Sequence, residues 1–386
     1  MRLLHTSDWH LGMTFRGGFS YADDQRHFID QICEIAKEEK VDGILLAGDV
    51  FDKSIASQEG LAIYNDSMTR ICGEMKIPVY LIAGNHDGAE RISQCYELLK
   101  NSGLYIAGSL TADVQAVNVN DVDIYMLPWI STDKVKTIYP DEAGNIDSME
   151  DAYRVVIDKY REHFVEGHKN ILIAHAFIVD SDTSVSDRAA EVGRATMVSS
   201  SVFDGFDYVA LGHLHGPQYV NDRIRYSGSP MAYSFGKEEK QVKSVTIIDT
   251  DDMSKTVIPI KQLHKRITLE GTYEELLKGD FGEDILKGYV RLDVNDIYVG
   301  PALYAALSEK YYNLLEVGSR EFEQSDSKRT MTIEELESSS LDMETVFVNY
   351  CKDVEGFEAS EHLRKLFEDA AGLYEKGVVC DEADQS

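Results

Sequence analysis

Residues 2–10, RLLHTSDWH, decide the reading of this chain. A short apolar strand over Arg2–Thr6 runs straight into Ser7-Asp8-Trp9-His10, leaving a carboxylate and an imidazole just past a strand end. Working outward, the same design recurs. Val41–Ala47 runs into Gly48-Asp49-Val50-Phe51-Asp52, and Ile77–Ala83 into Gly84-Asn85-His86-Asp87. Asn170–Ala174 ends at His175, and Tyr208–Leu211 runs into Gly212-His213-Leu214-His215. In open α/β sheets ligands sit beyond the carboxyl ends of the strands, and five such ends here each deliver Asp, Asn or His. The glycines at 48, 84 and 212 permit tight turns and close backbone approach at those ends.

Amphipathic helices lie between the strands. Phe28, Ile32 and Ile35 mark one stripe, and Leu61, Tyr64, Met68, Ile71 and Met75 mark another at spacings of three and four. Ser57 predicts the N-cap of that second helix, Ser148 the cap of a helix through Phe164, and Gly103 the stop of a helix over Arg91–Lys100. A further strand is expected over Asp123–Leu127. From about Arg223 strands predominate, over Ile224–Ser227, Ser244–Asp249 and Thr256–Ile260, with turn chemistry at Asn221-Asp222 and Asp251-Asp252. Residues 1–262 thus read as an α/β domain whose last strands form a second sheet edge. A boundary near Gln262–Lys265 sets off a small α/β unit over 263–325, with strand, helix, strand, helix, strand across Ile267–Phe322. Residues 326–386 turn polar and acidic, with one amphipathic helix around Val346, Phe347 and Tyr350 and a second carrying Leu363, Phe367, Ala370 and Tyr374.

Composition narrows the class. With 386 residues and 43% hydrophobic content the chain holds a real core. No apolar run is long enough to cross a bilayer, and MRLLHTSDWH lacks a signal-peptide pattern. The five cysteines are scattered without CxxC pairing, which argues against a disulfide framework or zinc ribbon and for a reducing, cytoplasmic setting. The formal charge of −30 opposes non-specific attraction to nucleic acid. A nucleic-acid substrate therefore needs bound cations, a local basic patch or a partner protein.

The donor types point to metal. Imidazole, carboxylate and amide oxygen without thiolate suit Mn, Fe, Zn or similar divalent ions. Seven candidate ligands exceed one tetrahedral ion but fit two ions sharing a carboxylate. Two ions about 3.5–4 Å apart can clamp a phosphoryl group and generate hydroxide at neutral pH.

Asp-x-His, Gly-Asp-x-x-Asp, Gly-Asn-His-Asp, a lone His and Gly-His-x-His together resemble the calcineurin-like metallophosphoesterases. The longer strings HTSDWHLG (5–12), AGDVFD (47–52), AGNHD (83–87), DYVALGHLH (207–215) and YSGSPMAYSF (226–235) resemble the bacterial SbcD nucleases, relatives of the Mre nucleases of double-strand-break repair. The resemblance covers residues 1–240 most closely. It implies an αββα core, a β-sandwich flanked by helices, with a small α/β capping domain and a helical tail. It implies one metal on Asp8, His10, Asp49 and His215 and a second on Asp49, Asn85, His175 and His213, both most simply Mn. It makes His86 the group that meets the scissile phosphate and helps the leaving oxygen depart, Asp87 its orienting partner, and Asp52 a neighbouring or substrate-facing carboxylate. It further implies DNA as substrate, with 3′→5′ exonuclease and single-strand endonuclease activity, and a homodimer formed by helices near residues 57–100. A coiled-coil ATPase of the SbcC type would be docked by the tail, giving a heterotetramer. The phosphatases of this superfamily carry Arg soon after the second Asp and Glu after Asn-His. Here Lys53 and Ser54 follow Asp52, and Asp87 follows His86. Small-molecule phosphodiesterase or phosphatase activity on the same centre is the alternative, and a non-catalytic scaffold, which would carry eroded ligands, the third reading.

Overall fold

The alternation of Leu3 and Leu4 sets up two cores from one strand. Successive side chains of a strand point to opposite faces. Leu4 packs with Phe28 and Ile32 on a helix, whereas Leu3 packs with Leu45, Ile171 and Ala210 in a layer between two sheets. The computed structural model describes residues 1–15, 19–179, 181–183, 197–297 and 299–319. In chain order its main strands begin with β1 (Arg2–Thr6), β2 (Gly43–Ala47), β3 (Val79–Ile82), β4 (Leu104–Ala107), β5 (Ala116–Val119) and β6 (Val122–Leu127). They continue with β7 (Lys169–His175), β8 (Tyr208–Gly212), β9 (Gln218–Tyr219), β10 (Ile224–Tyr226), β11 (Ser244–Asp249) and β12 (Ser254–Pro259).

One six-stranded sheet has the order β12-β11-β1-β2-β3-β4 and the other β9-β10-β8-β7-β6-β5. The centre of each is parallel: β1 with β2, β2 with β3, and β6, β7 and β8 in turn. Parallel strands buried on both faces read as continuous apolar runs, as in GILLA of β2, buried throughout. Helices α1 (Ala22–Glu38) and α2 (Gln58–Met68) contribute to the outer core of the first sheet, and α3 (Met149–Arg161) to that of the second. This is the αββα sandwich the motifs imply.

Local rules hold where they are chemically specific. Ser57 caps α2 by accepting from the Gly60 amide, and Ser148 forms a reciprocal capping box with Asp151 at α3. The helix expected over Arg91–Lys100 is instead broken. Two single turns, Ala89–Ile92 and Tyr96–Leu99, flank Cys95, whose φ of 58° is left-handed, before Gly103 stops the segment. Of the second stripe, Met68 and Ile71 enter the core, Tyr64 and Met75 pack against it, and only Leu61 faces outward. Beyond the sandwich, β13 (Arg266–Gly271), β14 (Tyr289–Val294) and β15 (Asn313–Ser319) form a parallel three-stranded sheet with its own apolar cluster around Val290, Leu292 and Leu307. The helices expected beyond residue 325 lie outside the described residues. Among the described residues no helix is long and apolar enough to cross a membrane.

Candidate metal centre

The carboxyl ends of β1, β2 and β3 in one sheet and of β7 and β8 in the other meet at one edge of the sandwich. Their chains turn there through unusual backbone. Asp8, His10, Asp49 and His213 all have positive φ (53°, 44°, 49° and 105°), a conformation that costs a non-glycine residue about 1–3 kcal/mol and persists only where surroundings over-determine it. Backbone bonds supply that determination: the Asp8 amide donates to the Gly48 carbonyl, His10 to Asp49 and Leu11 to Val50. Crowding explains Gly84, where an added Cβ would stand 2.2 Å from Asp49 Oδ1.

Two donor groups result. Asp8, His10 and His215 converge in one, with His10 Nε2 and His215 Nε2 3.0 Å apart. Asp8, Asp49 and His175 converge in the other. Here His175 Nε2 lies 3.3 Å from Asp49 Oδ2 and 2.9 Å from Asn85 Oδ1, and His213 Nδ1 lies 3.1 Å from the same Asn85 oxygen. Asp49 Oδ2 is also 3.9 Å from His10 Nε2, so it stands between the groups. All seven expected ligands are thus brought together, and Asp8 as well as Asp49 reaches both groups.

The donors fit divalent cations. His175 Nδ1 is 2.9 Å from the Ala47 carbonyl, which can only accept, so Nδ1 carries a proton and Nε2, facing the Asn85 oxygen, is the atom left for a metal. His215 Nδ1 stands 3.7 Å from the Glu238 carboxylate, the usual backing of a metal-bound imidazole. Where Nε2 faces the Asn85 and Asp49 oxygens in a buried site, a positive charge is needed, from a proton in the apo chain or from a metal ion in its place.

Electrostatics agree. Burial pushes Asp8 up to about 6 against the pull of His175 and His215. Burial opposes charge on His175 too, but Asp49's charge and hydrogen bond override it and raise the imidazole to about 9. Desolvation opposes charge on Asp49 as well, yet His175 and then His10 hold it below its ordinary value. His213 is lowered to about 3 by burial and then by His175. The apo site at neutral pH therefore keeps a proton on His175 that a metal must displace. Metal binding at pH 7 is expected to release about one proton, with apparent affinity falling about tenfold per pH unit between about 9 and 6 and more steeply below, where Asp8 also protonates. Calorimetry in buffers of different ionisation enthalpy checks this; a proton count near zero at pH 7 would refute it.

His86 sits beside the two groups, only partly buried, its ring 4.9 Å from that of His10. Its amide donates to Asp49 Oδ1, and its Nδ1 is 2.8 Å from the Asp52 carbonyl oxygen. That carbonyl, rather than the Asp87 carboxylate, orients the ring. Asp87 accepts from the amides of Val50, Phe51 and Gly84, tying the β2 and β3 loops together. Burial and then Asp49's charge raise Asp87 to about 6. The Asp52 side chain joins His10 and His86 in a third donor group, and burial raises its carboxyl.

Several supporting residues lie outside the pattern of strand ends. Trp129 stacks on His213 at 5.6 Å, Gln25 donates to the His10 carbonyl, and the Tyr153 hydroxyl donates to that of His175. Behind His215, Glu238 and Lys243 form an ion pair at 2.8 Å with both side chains fully buried. A sixth strand end, Leu127-Pro128-Trp129, was a signal for Trp129; GKEEKQVK (236–243) offers none for a buried pair.

The chain is similar to known proteins. The chain is 28% identical over 373 residues, 96% of each chain, to the protein named as the D subunit of nuclease SbcCD of Staphylococcus epidermidis. Among solved structures, TT1561 of Thermus thermophilus aligns with 67% of this chain and 99% of its own at 11% identity and a TM-score of 0.41. A dimetal phosphatase from Danio rerio aligns with 68% of this chain and 99% of its own at 8% identity and a TM-score of 0.39. Residues 1–217 match the model of the calcineurin-like phosphoesterases, and the chain belongs to that family.

Proposed function

We propose that this chain is the metal-dependent nuclease subunit of an SbcCD-type complex, hydrolysing DNA phosphodiester bonds at the centre formed by the five strand ends. The observation that carries the reading is the complete set of seven donors with His86 beside them, in a chain that a named SbcD-type subunit matches over almost its full length. Asp8, His10, Asp49 and His215 would hold one ion and Asp49, Asn85, His175 and His213 the other, with Mn the proposed metal. Bound divalent ions supply charge neutralisation of the phosphate and a hydroxide at neutral pH. The protein does the rest. Its left-handed turns fix the donors before substrate arrives, so little reorganisation accompanies reaction. His86, with its Nδ1–H held by the Asp52 carbonyl, would, as the imidazolium, give its Nε2 proton to the departing oxygen and be left neutral. Asp52, in contact range of Lys53 at 3.9 Å, faces the same space.

The proposed activities are 3′→5′ degradation of duplex ends and endonucleolytic cutting of single strands. Residues 263–325 are proposed as a cap over the DNA path and 326–386 as the docking segment for an SbcC-like ATPase. A second copy is proposed to pair near residues 57–100, supported by outward apolar side chains at Ile55, Leu61 and Leu98. Scattered cysteines, three of them free among the described residues, support a cytoplasmic setting. The charge of −30 makes the metals and the partner the means of holding DNA.

Purified protein with Mn and duplex DNA tests the reading. His86→Ala is expected to retain both metals and lose about 10²–10⁴-fold in turnover. Robust turnover of nucleotides or phosphomonoesters with no DNA cleavage, alone or with the ATPase, would establish the small-molecule alternative instead.

A further inference from the structure

Arg266 opens β13, and it is buried, 4% exposed, in an aromatic box. Its guanidinium carbon lies 5.0 Å from the Phe235 ring, 5.3 Å from Tyr21 and 5.5 Å from Tyr289. Nε donates to the Ala232 carbonyl and Nη2 to the Tyr21 hydroxyl. Nη1 is buried with no hydrogen-bond partner, and no ion pair to Arg266 occurs among the described residues. A buried guanidinium without a carboxylate is costly to retain unless something else supplies the negative charge.

Beside it is a cavity of about 330 Å³ that Arg266 lines, between the loop after β10 and the face of the three-stranded sheet. Small-molecule sites run from about 300 to 1,000 Å³ and pair aromatic walls with a few convergent polar groups. The walls here include Phe15 and Phe235; the polar rim includes Thr268, Arg291, Asp293 and Glu316. Arg291 is shared with Asp293 at 2.9 Å and Glu316 at 3.4 Å. The cavity therefore offers a guanidinium donor at Arg266, flat apolar walls, and carboxylates that can accept from hydroxyl or amino groups but repel a second anion. Tyr233 also lines it, and that ring meets His10 at 5.3 Å and His215 at 5.5 Å. One aromatic ring separates the cavity from two metal donors.

We infer that this cavity is a second nucleotide site, distinct from the metal centre, that takes one nucleotide unit. The edge of the Arg266 guanidinium that lines the cavity engages its phosphate, the base lies against Phe15 and Phe235, and sugar or base donors meet Asp293 and Glu316. The unit is either a free nucleoside monophosphate or one nucleotide of a DNA strand; both present the same phosphate, sugar and base. The inference does not depend on the nuclease reading, because binding is measured without metal.

The test is calorimetric titration of the full chain in EDTA with deoxyadenosine monophosphate, inorganic phosphate, deoxyadenosine and a five-nucleotide DNA. Saturable binding of the monophosphate, at least tenfold tighter than phosphate or nucleoside alone, supports a free-nucleotide source; saturable binding of the oligonucleotide alone supports a strand. Arg266→Lys, which keeps the charge but loses the fork, should weaken either by at least tenfold. Phe235→Ala, read alongside a melting curve, tests the wall without touching the cation. Asp49→Asn should leave this binding within twofold. The inference is overturned if neither ligand saturates, if phosphate binds as tightly as the nucleotide, or if Arg266→Lys and Phe235→Ala both bind like the parent. Mn-dependent DNA cleavage, assayed separately, decides the nuclease reading whatever the titrations give.

Discussion

Asp49→Asn is expected to lower Mn-dependent DNA cleavage by at least about 10³-fold and to reduce bound metal from two ions per chain to one or fewer. The substitution isolates charge from shape. Asn keeps an oxygen to accept from the His86 amide, the bond Asp49 Oδ1 makes now at 2.9 Å, so the β2 and β3 loops stay joined. What disappears is the carboxylate that stands 3.3 Å from His175 and 3.9 Å from His10. A metal centre is worth several kcal/mol of transition-state stabilisation, and about 1.4 kcal/mol corresponds to tenfold in rate. The imidazole of His175 also loses the charge that raises it, so its proton leaves more readily. Proton release on metal addition should therefore shrink in this variant. Elemental analysis with a cleavage assay checks both halves; two bound ions and a rate within tenfold of the parent would remove Asp49 from the centre of the scheme.

The largest stability effect belongs to a residue that touches no substrate. Glu238→Ala leaves Lys243 buried without its partner, and breaking one side of a buried pair costs about 3–5 kcal/mol. The Lys243 ammonium also donates to the His215 carbonyl and the Ser229 hydroxyl, and Glu238 accepts from the Tyr233 amide. The pair thus fixes the loop that presents His215 and the loop that carries Tyr233. Loss of the group backing a metal-bound imidazole lowers metal affinity by about 10–100-fold. Urea denaturation of the apo protein reads the first effect and metal titration the second. The double change Glu238→Ala with Lys243→Met should recover part of the stability but not the metal affinity. Equal recovery of both would mean that Glu238 acts only through packing.

The strand ends were legible because each is short, local and chemically marked. Asp8-x-His10 and His213-x-His215 each set two donors within three residues just past a strand end, and Gly48 carries a φ of 84° that side-chain-bearing residues avoid. The caps at Ser57 and Ser148 were legible for the same reason, since donor and acceptor are three residues apart. Long-range structure was not. GKEEKQVK (236–243) reads as a solvated charge run, yet Glu238 and Lys243 are buried because β11 pairs on both sides, with β12 and β1, and draws Lys243 in with it. Asp87 looked like a partner for its neighbour His86, but its carboxylate turns to amides of another strand's loop. Cys95 ends a run that is helical by pattern, and nothing in its residue type announces a left-handed turn.

The two sheets contribute unequally but jointly to the edge where the donors gather. His10 comes from the first sheet and His215 from the second; Asp49 comes from the first and His175 from the second. Each proposed ion would therefore span the seam of the sandwich, where the layer around Leu3, Leu45, Ile171 and Ala210 otherwise supplies the adhesion. In mechanical terms such ions would be rivets. They would join the two sheets at one rim of the sandwich, where the donors gather. Metal supply would then bear on the seam as well as on the chemistry, while the apolar layer between the sheets holds the fold without it.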